Sequence, residues 1–461
     1  MTAERCTVFV LPGLGLDARS ALPLQAELDE RFRVVAVELP GQGSAPDASE
    51  GSVAAQVDAA LAMIREAADG GPWMLCGHSM GGKVAAAVAA RIRDGEPGIF
   101  GLLGTVLLAP SSPSPEPMPA EKRRQMLSWV AEGGISESDA QTFVDDNVGG
   151  GLPPERQRET VDAVARMSPL AWRRWLEEGS VEDITAFVGT LDLPCRVLAG
   201  GEDEALGADA QPDLLADVYP RARFIALPGA GHLLLQERPG EVAAAITELW
   251  EEIAEHSVRV PAEWGTLLAS PRVSARVRST LARRALPDDP AYRPRVLSSE
   301  QLDLLRAVAA RVVPQPPGGS IDLAARVDAD LAAGGGDGWR PAGALPDDEA
   351  YRAGLDQLAR VWPEGAEERD GVLREVIAGT AIPGITADAD DLRRWFQDVR
   401  VDLVREWLCH PASLARVGYD GFATGAEEVS FAGYLALGAG LRDGWEPSDL
   451  GAVVDGTEGA S

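Results

Sequence analysis

The strongest constraint on how this chain can fold is the pentapeptide Gly-His-Ser-Met-Gly at residues 77–81, which follows the apolar run 73–76. A Gly-x-Ser-x-Gly sequence between a strand and a helix is typical of a nucleophile elbow, a sharp turn that holds the serine in a strained conformation with its hydroxyl exposed. The alanine- and valine-rich residues 80–93 predict the buried helix that such a turn needs. The sequence therefore predicts an α/β sheet protein with Ser79 as a nucleophile.

A nucleophilic serine needs a general base, and the chain contains only four histidines. The turn aims His78 away from the hydroxyl, so we interpret His78 as structural. His256 ends a charged helix, where solvent and the helix dipole favour it, and His410 precedes a proline in a predicted loop. His232 follows a predicted strand and a glycine-containing loop, which suits an imidazole carried over the strand ends. We predict His232 as the base, with an ordinary core histidine as the alternative.

The third member of such a triad orients the imidazole and stabilises its protonated form. Three consecutive acidic residues, Glu202, Asp203 and Glu204, come directly after the predicted strand 195–200. We predict Asp203 as the acid, and Glu202 and Glu204 stay open as alternatives.

Acyl chemistry also needs backbone N–H donors for the oxyanion of a tetrahedral intermediate. The predicted first strand ends at the sequence Pro-Gly-Leu-Gly, residues 12–15, where glycines allow a close backbone approach. The N–H groups of Leu14 and Met80 are the predicted donors. A plain turn at 12–15 is the alternative, and it is compatible with the same role.

Residues 1 to about 257 resemble the α/β-hydrolase superfamily, specifically its single-domain branch of esterases, lactonases and C–C hydrolases. The resemblance rests on five segments in the family's order, namely 10–15, 39–43, 77–81, 200–203 and 229–239. The order Ser79, Asp203, His232 is also the chain order of the triad in that fold. Pro12 departs from the pattern, since relatives usually carry histidine there. The resemblance implies a serine hydrolase that acts on a small-molecule ester, lactone or related acyl substrate, and no cofactor or metal is predicted for it.

Alternation of short apolar runs with helical patterns predicts a mostly parallel sheet covered by helices on both faces. The predicted strands are about 6–11, 32–38, 73–77, 103–109, 195–200 and 222–227, and the predicted helices are about 18–29, 53–68, 80–93, 209–218 and 239–256. Residues 112–190 interrupt this alternation, and we predict that they form a helical cap over the carboxyl ends of the strands, where ligands bind in open α/β sheets. The large apolar residues of the cap are expected in its core more than in contact with substrate; they are Met126, Trp129, Phe143, Trp172, Trp175 and Phe187.

The C-terminal part of the chain has a different character. Residues 258–290 combine arginines with prolines and suggest a linker with a short basic helix, and residues 291–461 predict a mainly α-helical domain. This domain resembles the small-subunit family of gluconate 2-dehydrogenase (subunit 3) in the segments 297–314, 395–407 and 411–422, although the family's Gly-Asn signature near the end is missing. The resemblance implies a flavin-dependent dehydrogenase as a partner of 291–461. An unrelated or self-associating helical bundle is the alternative.

Composition limits the function further. The net charge of −30 repels phosphate backbones and anionic lipid, which argues against a nucleic-acid or membrane partner. The four cysteines are scattered without a Cys-x-x-Cys pair, and no apolar leader precedes the first strand, so a cytoplasmic protein is expected. Two functions compete: a serine hydrolase, and a non-catalytic accessory or scaffold subunit of a dehydrogenase complex. A complete triad favours the hydrolase, because a scaffold needs neither base nor acid.

Overall fold

The structure is a computed structural model that describes residues 5–47, 52–316, 319–334 and 345–422. The chain divides into two compact units. The sheet unit comprises Met1–Ile253, Arg259–Pro287 and the residues from Asp420, and the helical unit comprises Ala254–Val258 and Asp288–Tyr419.

Six parallel strands form the centre of the sheet unit. They are β1 (Cys6–Leu11), β2 (Phe32–Ala36), β3 (Trp73–His78), β4 (Leu102–Leu108), β5 (Cys195–Gly200) and β6 (Ala222–Leu227). Their order across the sheet is β2-β1-β3-β4-β5-β6, so the sheet grows in both directions from its first strand. The strands β1, β3, β4 and β5 are buried along their whole length, as expected for near-continuous apolar runs in a sheet covered on both faces.

The α-helices of the sheet unit lie between its strands and, from α10 onward, after β6. They are α1 (Leu22–Glu27), α2 (Val53–Ala67), α3 (Met80–Arg93), α4 (Ala120–Ser128), α5 (Glu137–Asp145), α6 (Pro154–Arg166), α7 (Pro169–Arg174), α8 (Thr185–Val188), α9 (Gln211–Leu215), α10 (Leu234–Glu237), α11 (Pro239–Glu255), α12 (Ala262–Ala269) and α13 (Ala275–Ala285). The predicted α/β fold class is confirmed, and the strand bounds agree within two residues. The largest difference is β2, which ends at Ala36 where the sequence suggests residue 38.

The segment between β4 and β5 carries α4 to α8 and a π-helical turn at Trp175–Gly179. We call residues 112–190 the cap. Three of its aromatic rings pack together: the ring centroids of Phe143 and Trp172 are 5.4 Å apart, and those of Trp129 and Trp172 are 6.0 Å apart. The cap therefore has an aromatic core of its own. Phe187, in contrast, is 46% exposed.

The stretch that the sequence suggests as a linker contains two helices, α12 and α13, that lie within the sheet unit. Arg278 on α13 is buried, and its guanidinium donates hydrogen bonds to four backbone carbonyl groups, those of Gly95, Leu268, Ser270 and Val273. A single arginine thus satisfies carbonyl groups from two segments, the turn after α3 and the end of α12 with the turn that follows it, because the five N–H donors of the planar guanidinium point in different directions.

The helical unit contains α14 (Ser299–Val312), α15 (Leu323–Ala332), α16 (Asp347–Ala359), α17 (Ala366–Ala378), α18 (Ala389–Cys409) and α19 (Pro411–Arg416). Its core draws on an apolar face of α14 that includes Leu302, Leu305 and Val308. The predicted capping box is present at the start of α14: the N–H of Gln301 donates to Ser298 Oγ at 3.1 Å, and the N–H of Ser298 donates to Gln301 Oε1 at 2.9 Å. The helical C-terminal region is confirmed up to residue 422, and the rest of the predicted domain, 423–461, lies outside the described residues.

Within the described ranges, none of the helices is both long enough and apolar enough to cross a bilayer.

Candidate active site

Ser79 occupies the turn between β3 and α3, where the elbow pattern predicts it. Its backbone has φ 50° and ψ −118°, in a region that residues with side chains rarely adopt. The turn is held by backbone hydrogen bonds: the Ser79 N–H donates to the Leu108 carbonyl at 2.9 Å, and the Ser79 carbonyl accepts from Gly82 at 2.8 Å and from Ser111 at 3.0 Å. The surrounding structure therefore stabilises a strained residue, which is a common property of functional sites.

Two glycines allow β3 and α3 to meet this closely. A Cβ atom on Gly81 would lie 2.3 Å from the carbonyl oxygen of Leu11, and a Cβ atom on Gly77 would lie 2.7 Å from the carbonyl oxygen of Gly81. Neither distance is sterically allowed, so both positions require glycine. Gly77 thus sets the spacing between β3 and α3, and Gly81 sets the spacing between α3 and the end of β1.

Asp203 lies just beyond the end of β5, and its carboxylate is fully engaged. Oδ1 accepts from the N–H groups of Ala205 at 3.1 Å and Leu206 at 3.0 Å, and Oδ2 lies 2.6 Å from Nδ1 of His232. Burial alone would raise the pKa of Asp203, but the attraction of His232 and these hydrogen bonds hold that pKa well below its ordinary value. The side chains of Glu202 and Glu204, the alternative acids, are exposed.

The contact with Asp203 defines the chemical state of the His232 ring. An ionised carboxylate only accepts hydrogen bonds, so Nδ1 of His232 donates to Asp203, and Nε2 is the ring atom left to exchange a proton. His232 and Ser79 line the same cavity. The structure therefore brings together Ser79, Asp203 and His232, the three residues that the sequence predicts as a triad.

His78 supports the loop that carries His232. Its Nε2 lies 2.7 Å from the His232 carbonyl oxygen, which can only accept, so the His78 ring donates. Burial, with a smaller contribution from the charge of His232, lowers the pKa of His78 to about 3. His78 is therefore neutral at ordinary pH and links the elbow to the loop after β6.

The predicted oxyanion residues lie in the loop after β1 and at the start of α3. Leu14 lines the cavity with Ser79, and Met80 is the first residue of α3, where backbone N–H groups lack partners within the helix. The Met80 side chain is buried in the core. Gln42 holds the loop from behind: its Nε2 donates to the Gly13 carbonyl at 2.9 Å, and its Oε1 accepts from the Leu39 N–H at 3.2 Å. Sequence reasoning missed this role of Gln42, although it lies in the recognised segment 39–43.

A cavity opens in front of Ser79, and the space between its walls, including solvent at its mouth, is about 600 Å³. Its walls are mainly apolar, and the cap contributes Met118, Met126, Phe143 and Trp175. Glu116, Lys122 and Asn147 are its polar residues besides the predicted triad and His78. Of the large cap residues expected in the cap core, Met126, Phe143 and Trp175 also reach the cavity.

A π-helical turn accounts for the position of Trp175. The N–H of Ser180 donates to the Trp175 carbonyl at 2.8 Å, a bond across five residues that widens the helix. Arg123 stabilises the widened turn by donating to the Leu176 carbonyl and, at 2.6 Å, to Ser180 Oγ. Such turns are frequent at functional sites, and this one carries a residue that lines the cavity.

The cap also contacts the backbone of the histidine loop. The Asn147 carbonyl accepts hydrogen bonds from the N–H groups of His232 at 2.8 Å and Leu233 at 3.1 Å. The N–H of Gly149 donates to Glu237 Oε2 at 2.8 Å. The position of His232 therefore depends on the cap as well as on Asp203, and no sequence motif indicates that contact.

Comparison with known proteins identifies the family of the chain. The model of the alpha/beta hydrolase family matches residues 8–245. The chain belongs to this family. Members that resemble it include the biotin biosynthesis bifunctional protein BioHC of Cellvibrio japonicus, which is 24% identical over 260 residues covering 54% of this chain and 48% of the relative. The esterase YbfF of Escherichia coli is 29% identical over 181 residues, which cover 37% of this chain and 64% of YbfF.

This alpha/beta hydrolase thus spans between about half and two thirds of the length of these two curated relatives. Among solved structures, a thermophilic esterase from Thermogutta terrifontis is 25% identical, with a TM-score of 0.46 over 54% of this chain and 91% of the esterase.

Proposed function

We propose that the sheet unit is a serine hydrolase that cleaves a carboxylic ester, a lactone or a related acyl substrate through an acyl-enzyme. Ser79 is the nucleophile, His232 is the general base and then the general acid, and Asp203 orients His232. The N–H groups of Leu14 and Met80 stabilise the oxyanion. The family and the esterase YbfF among the relatives support a hydrolase of this kind.

In the first half of the reaction, Ser79 Oγ attacks the carbonyl carbon while its proton passes to Nε2 of His232. The imidazolium that forms is stabilised by Asp203, whose carboxylate contacts Nδ1 at 2.6 Å. Collapse of the tetrahedral intermediate expels the alcohol, which takes the proton from Nε2. In the second half, water attacks the acyl-enzyme by the same route and releases Ser79.

The observation that carries the proposal is the short contact between Asp203 and His232 beside a serine held at positive φ. A buried aspartate and a histidine can form an ion pair for stability alone. A strained serine in the same cavity has no such explanation, because strain destabilises the fold by about 1–3 kcal/mol without adding a contact.

A fluorophosphonate probe tests the proposal directly, because it reacts with activated serines. We expect the wild-type protein to be labelled at Ser79 and the Ser79→Ala variant not to be labelled. Ser270→Ala is a matched control, since Ser270 is similarly buried and donates to the Leu267 carbonyl at 2.7 Å away from the cavity. Absence of labelling on folded wild-type protein would contradict the proposal and favour the scaffold function.

We further propose that residues 291–461 dock a flavin-dependent dehydrogenase. The observation that favours docking is an apolar stripe on α18, formed by Val401, Val404 and Leu408, which are 60%, 41% and 37% exposed. Three apolar residues at helical spacing on one exposed face are typical of an interaction surface.

Full-length protein used as bait in its native host should recover a flavin-containing dehydrogenase, and Val401→Lys should weaken that recovery. Recovery of the chain alone, or of its own oligomer, would contradict docking and leave the hydrolase proposal untouched.

A further inference from the structure

The chain contains two lysines, and they differ in their partners. Lys83, on α3, is fully buried, and its Nζ donates to the carbonyl oxygens of Ser114, at 3.3 Å, and Glu182. Lys122, on α4, is half-buried and lines the cavity in front of Ser79. Lys83 therefore has a structural role where the cap leaves and rejoins the sheet, whereas Lys122 faces open space.

Lys122 makes no ion pair within the part of the chain that the structure describes. The two residues after it are engaged elsewhere: Arg123 donates to Ser180 Oγ at 2.6 Å, and Arg124 lies 3.9 Å from Glu121 on the exposed side of α4. Met126, one turn beyond Lys122, also lines the cavity. One face of α4 therefore presents an ammonium group and an apolar side chain to the cavity.

Besides Asp203, the acidic residue in the wall of the cavity is Glu116, whose carboxylate already accepts a hydrogen bond. Its Oε2 accepts from Ser111 Oγ at 2.8 Å. Burial lowers the pKa of Lys83, and the charge of Glu116 is the largest of the contributions that oppose this shift. Within the described residues, Glu116 and Lys122 form no ion pair with each other.

An ammonium group without an ion-pair partner, beside apolar walls, attracts an anion more strongly than a fully exposed lysine does, because the walls lower the local dielectric. The net charge of −30 opposes anions only at longer range, since salt screens exposed charges beyond about 8–10 Å. The charge of Lys122 therefore acts on a group that binds against α4 without screening by bulk salt.

We propose that Lys122 forms an anion subsite, so that the preferred substrate is an ester or lactone carrying a carboxylate at a distance from the scissile carbonyl. This inference rests on the proposed hydrolase function. The apolar residues Met126, Phe143 and Trp175 fit a hydrocarbon spacer between the two groups. Ser79 Oγ bonds to the carbonyl carbon, the alcohol leaves with the proton from His232, and water then displaces Ser79, while the distal carboxylate stays unchanged.

Matched substrates test the subsite. The p-nitrophenyl monoesters of glutaric and adipic acid carry a terminal carboxylate, and the corresponding terminal amides have the same size without the charge. We expect the wild-type kcat/KM for a carboxylate ester to exceed that for its amide by ~10-fold or more, the range of a hydrogen bond between charged groups. Equal values for both members of each pair, or a preference for an ester with a terminal amine, would overturn the inference.

Variants identify the residue responsible. Lys122→Met should bring the carboxylate-to-amide ratio of kcat/KM close to one, Lys122→Glu should invert it, and Lys122→Arg should keep most of it. Arg124→Met is the matched control, because it removes one positive charge from the exposed side of the same helix and should leave the ratio as in the wild type. A ratio that survives in Lys122→Met would overturn the role of Lys122.

A readout without turnover uses the scarcity of lysine. An amine-acylating reagent has Lys122, the buried Lys83 and the chain terminus as its amine targets, so mass spectrometry can follow Lys122 alone. Glutarate should protect Lys122 from acylation, and glutaramide should not; equal protection would overturn the inference. A wild-type protein that hydrolyses only the amide esters would overturn the subsite and retain the hydrolase, whereas one that hydrolyses neither and resists fluorophosphonate would overturn both.

Discussion

The sheet unit and the helical unit each bury an aspartate that organises the chain around it. Asp203 accepts two backbone N–H groups through Oδ1 and keeps Oδ2 for Nδ1 of His232. Asp328 is saturated instead: its two oxygens accept from the Tyr292 hydroxyl at 2.7 Å and from three consecutive backbone N–H groups, those of Arg295, Val296 and Leu297. The first carboxylate can orient an imidazole beside a cavity, and the second can only fix a turn.

The buried histidines of the two units can be compared in the same way. His78 in the sheet unit and His410 in the helical unit are both buried, and burial lowers the pKa of each to about 3. His410 Nδ1 accepts from the Ala412 N–H at 3.1 Å at the start of α19, so it acts as a helix cap. A buried histidine with a displaced pKa therefore does not mark a site. A contact with a carboxylate and a position in a cavity distinguish His232.

The largest expected effect comes from removing the nucleophile or the base. Ser79→Ala and His232→Ala should each lower kcat by on the order of 10⁶-fold, because members of a triad act as a unit. Steady-state kinetics on the p-nitrophenyl esters, with circular dichroism to verify folding, give the measurement. His256→Ala is the control and should leave kcat unchanged. If Ser79→Ala or His232→Ala kept activity within tenfold of the wild type, the assignment of that residue as nucleophile or general base would be wrong.

The next prediction compares the two aspartates directly. Asp203→Asn should lower kcat by on the order of 10⁴-fold, because an amide at this position favours the wrong imidazole tautomer. Asp328→Asn should leave kcat unchanged but lower the free energy of unfolding by about 2–4 kcal/mol, since the amide N–H₂ faces donors instead of accepting from them. Glu202→Gln and Glu204→Gln should be mild in both assays. A larger loss of kcat in either glutamate variant than in Asp203→Asn would move the acid to that residue.

The sheet and the elbow could be predicted from the sequence because their signals are local. Strands buried on both faces read as continuous apolar runs, and the close approach at Gly77 and Gly81 demands glycine at fixed spacing around Ser79. The identity of the acid was harder to predict, because the sequence offers three consecutive carboxylates. Only the three-dimensional contact with His232 distinguishes Asp203 from the other two.

The sequence does not predict which residues of the cap line the cavity. The position of Trp175 depends on a π-helical turn that is stabilised by Arg123, a residue far away in the sequence. The contact between Asn147 and the backbone of His232 joins residues 85 positions apart and uses only main-chain atoms at both ends, so no residue type encodes it. Hydrophobic spacing identifies a helix but not which of its aromatic residues face a cavity.

A smaller effect is expected from the residue that supports the oxyanion loop. Gln42→Leu keeps the side-chain volume but removes the donor to the Gly13 carbonyl, so the loop loses its anchor and kcat should fall ~10–100-fold. KM should change much less, because Gln42 does not line the cavity. The matched control is Gln56→Leu on α2, a similarly buried glutamine outside the site. Equal losses of kcat in both variants would indicate a general effect on stability rather than on the oxyanion.

The smallest expected effect tests whether a titrating carboxylate in the helical unit contributes only to stability. Burial, followed by the repulsion of Asp330, raises the pKa of Glu406 from 4.5 to about 7, although Arg405 and Arg326 oppose the shift. The folded state therefore binds more protons than the unfolded state between pH 4.5 and 7, so the free energy of unfolding falls as the pH rises through that window.

Glu406→Gln keeps the neutral form at every pH. We expect its Tm to exceed that of the wild type by ~2–4 °C at pH 8 and to match it at pH 5, while kcat stays unchanged. Glu375→Gln on α17, an exposed glutamate in the same unit, should change Tm at neither pH. A gain of equal size at pH 5 and pH 8 would mean that packing, rather than the charge of Glu406, causes the effect. A change in kcat would contradict the assignment of the reaction to the sheet unit alone. A titrating group of the helical unit would then affect the reaction.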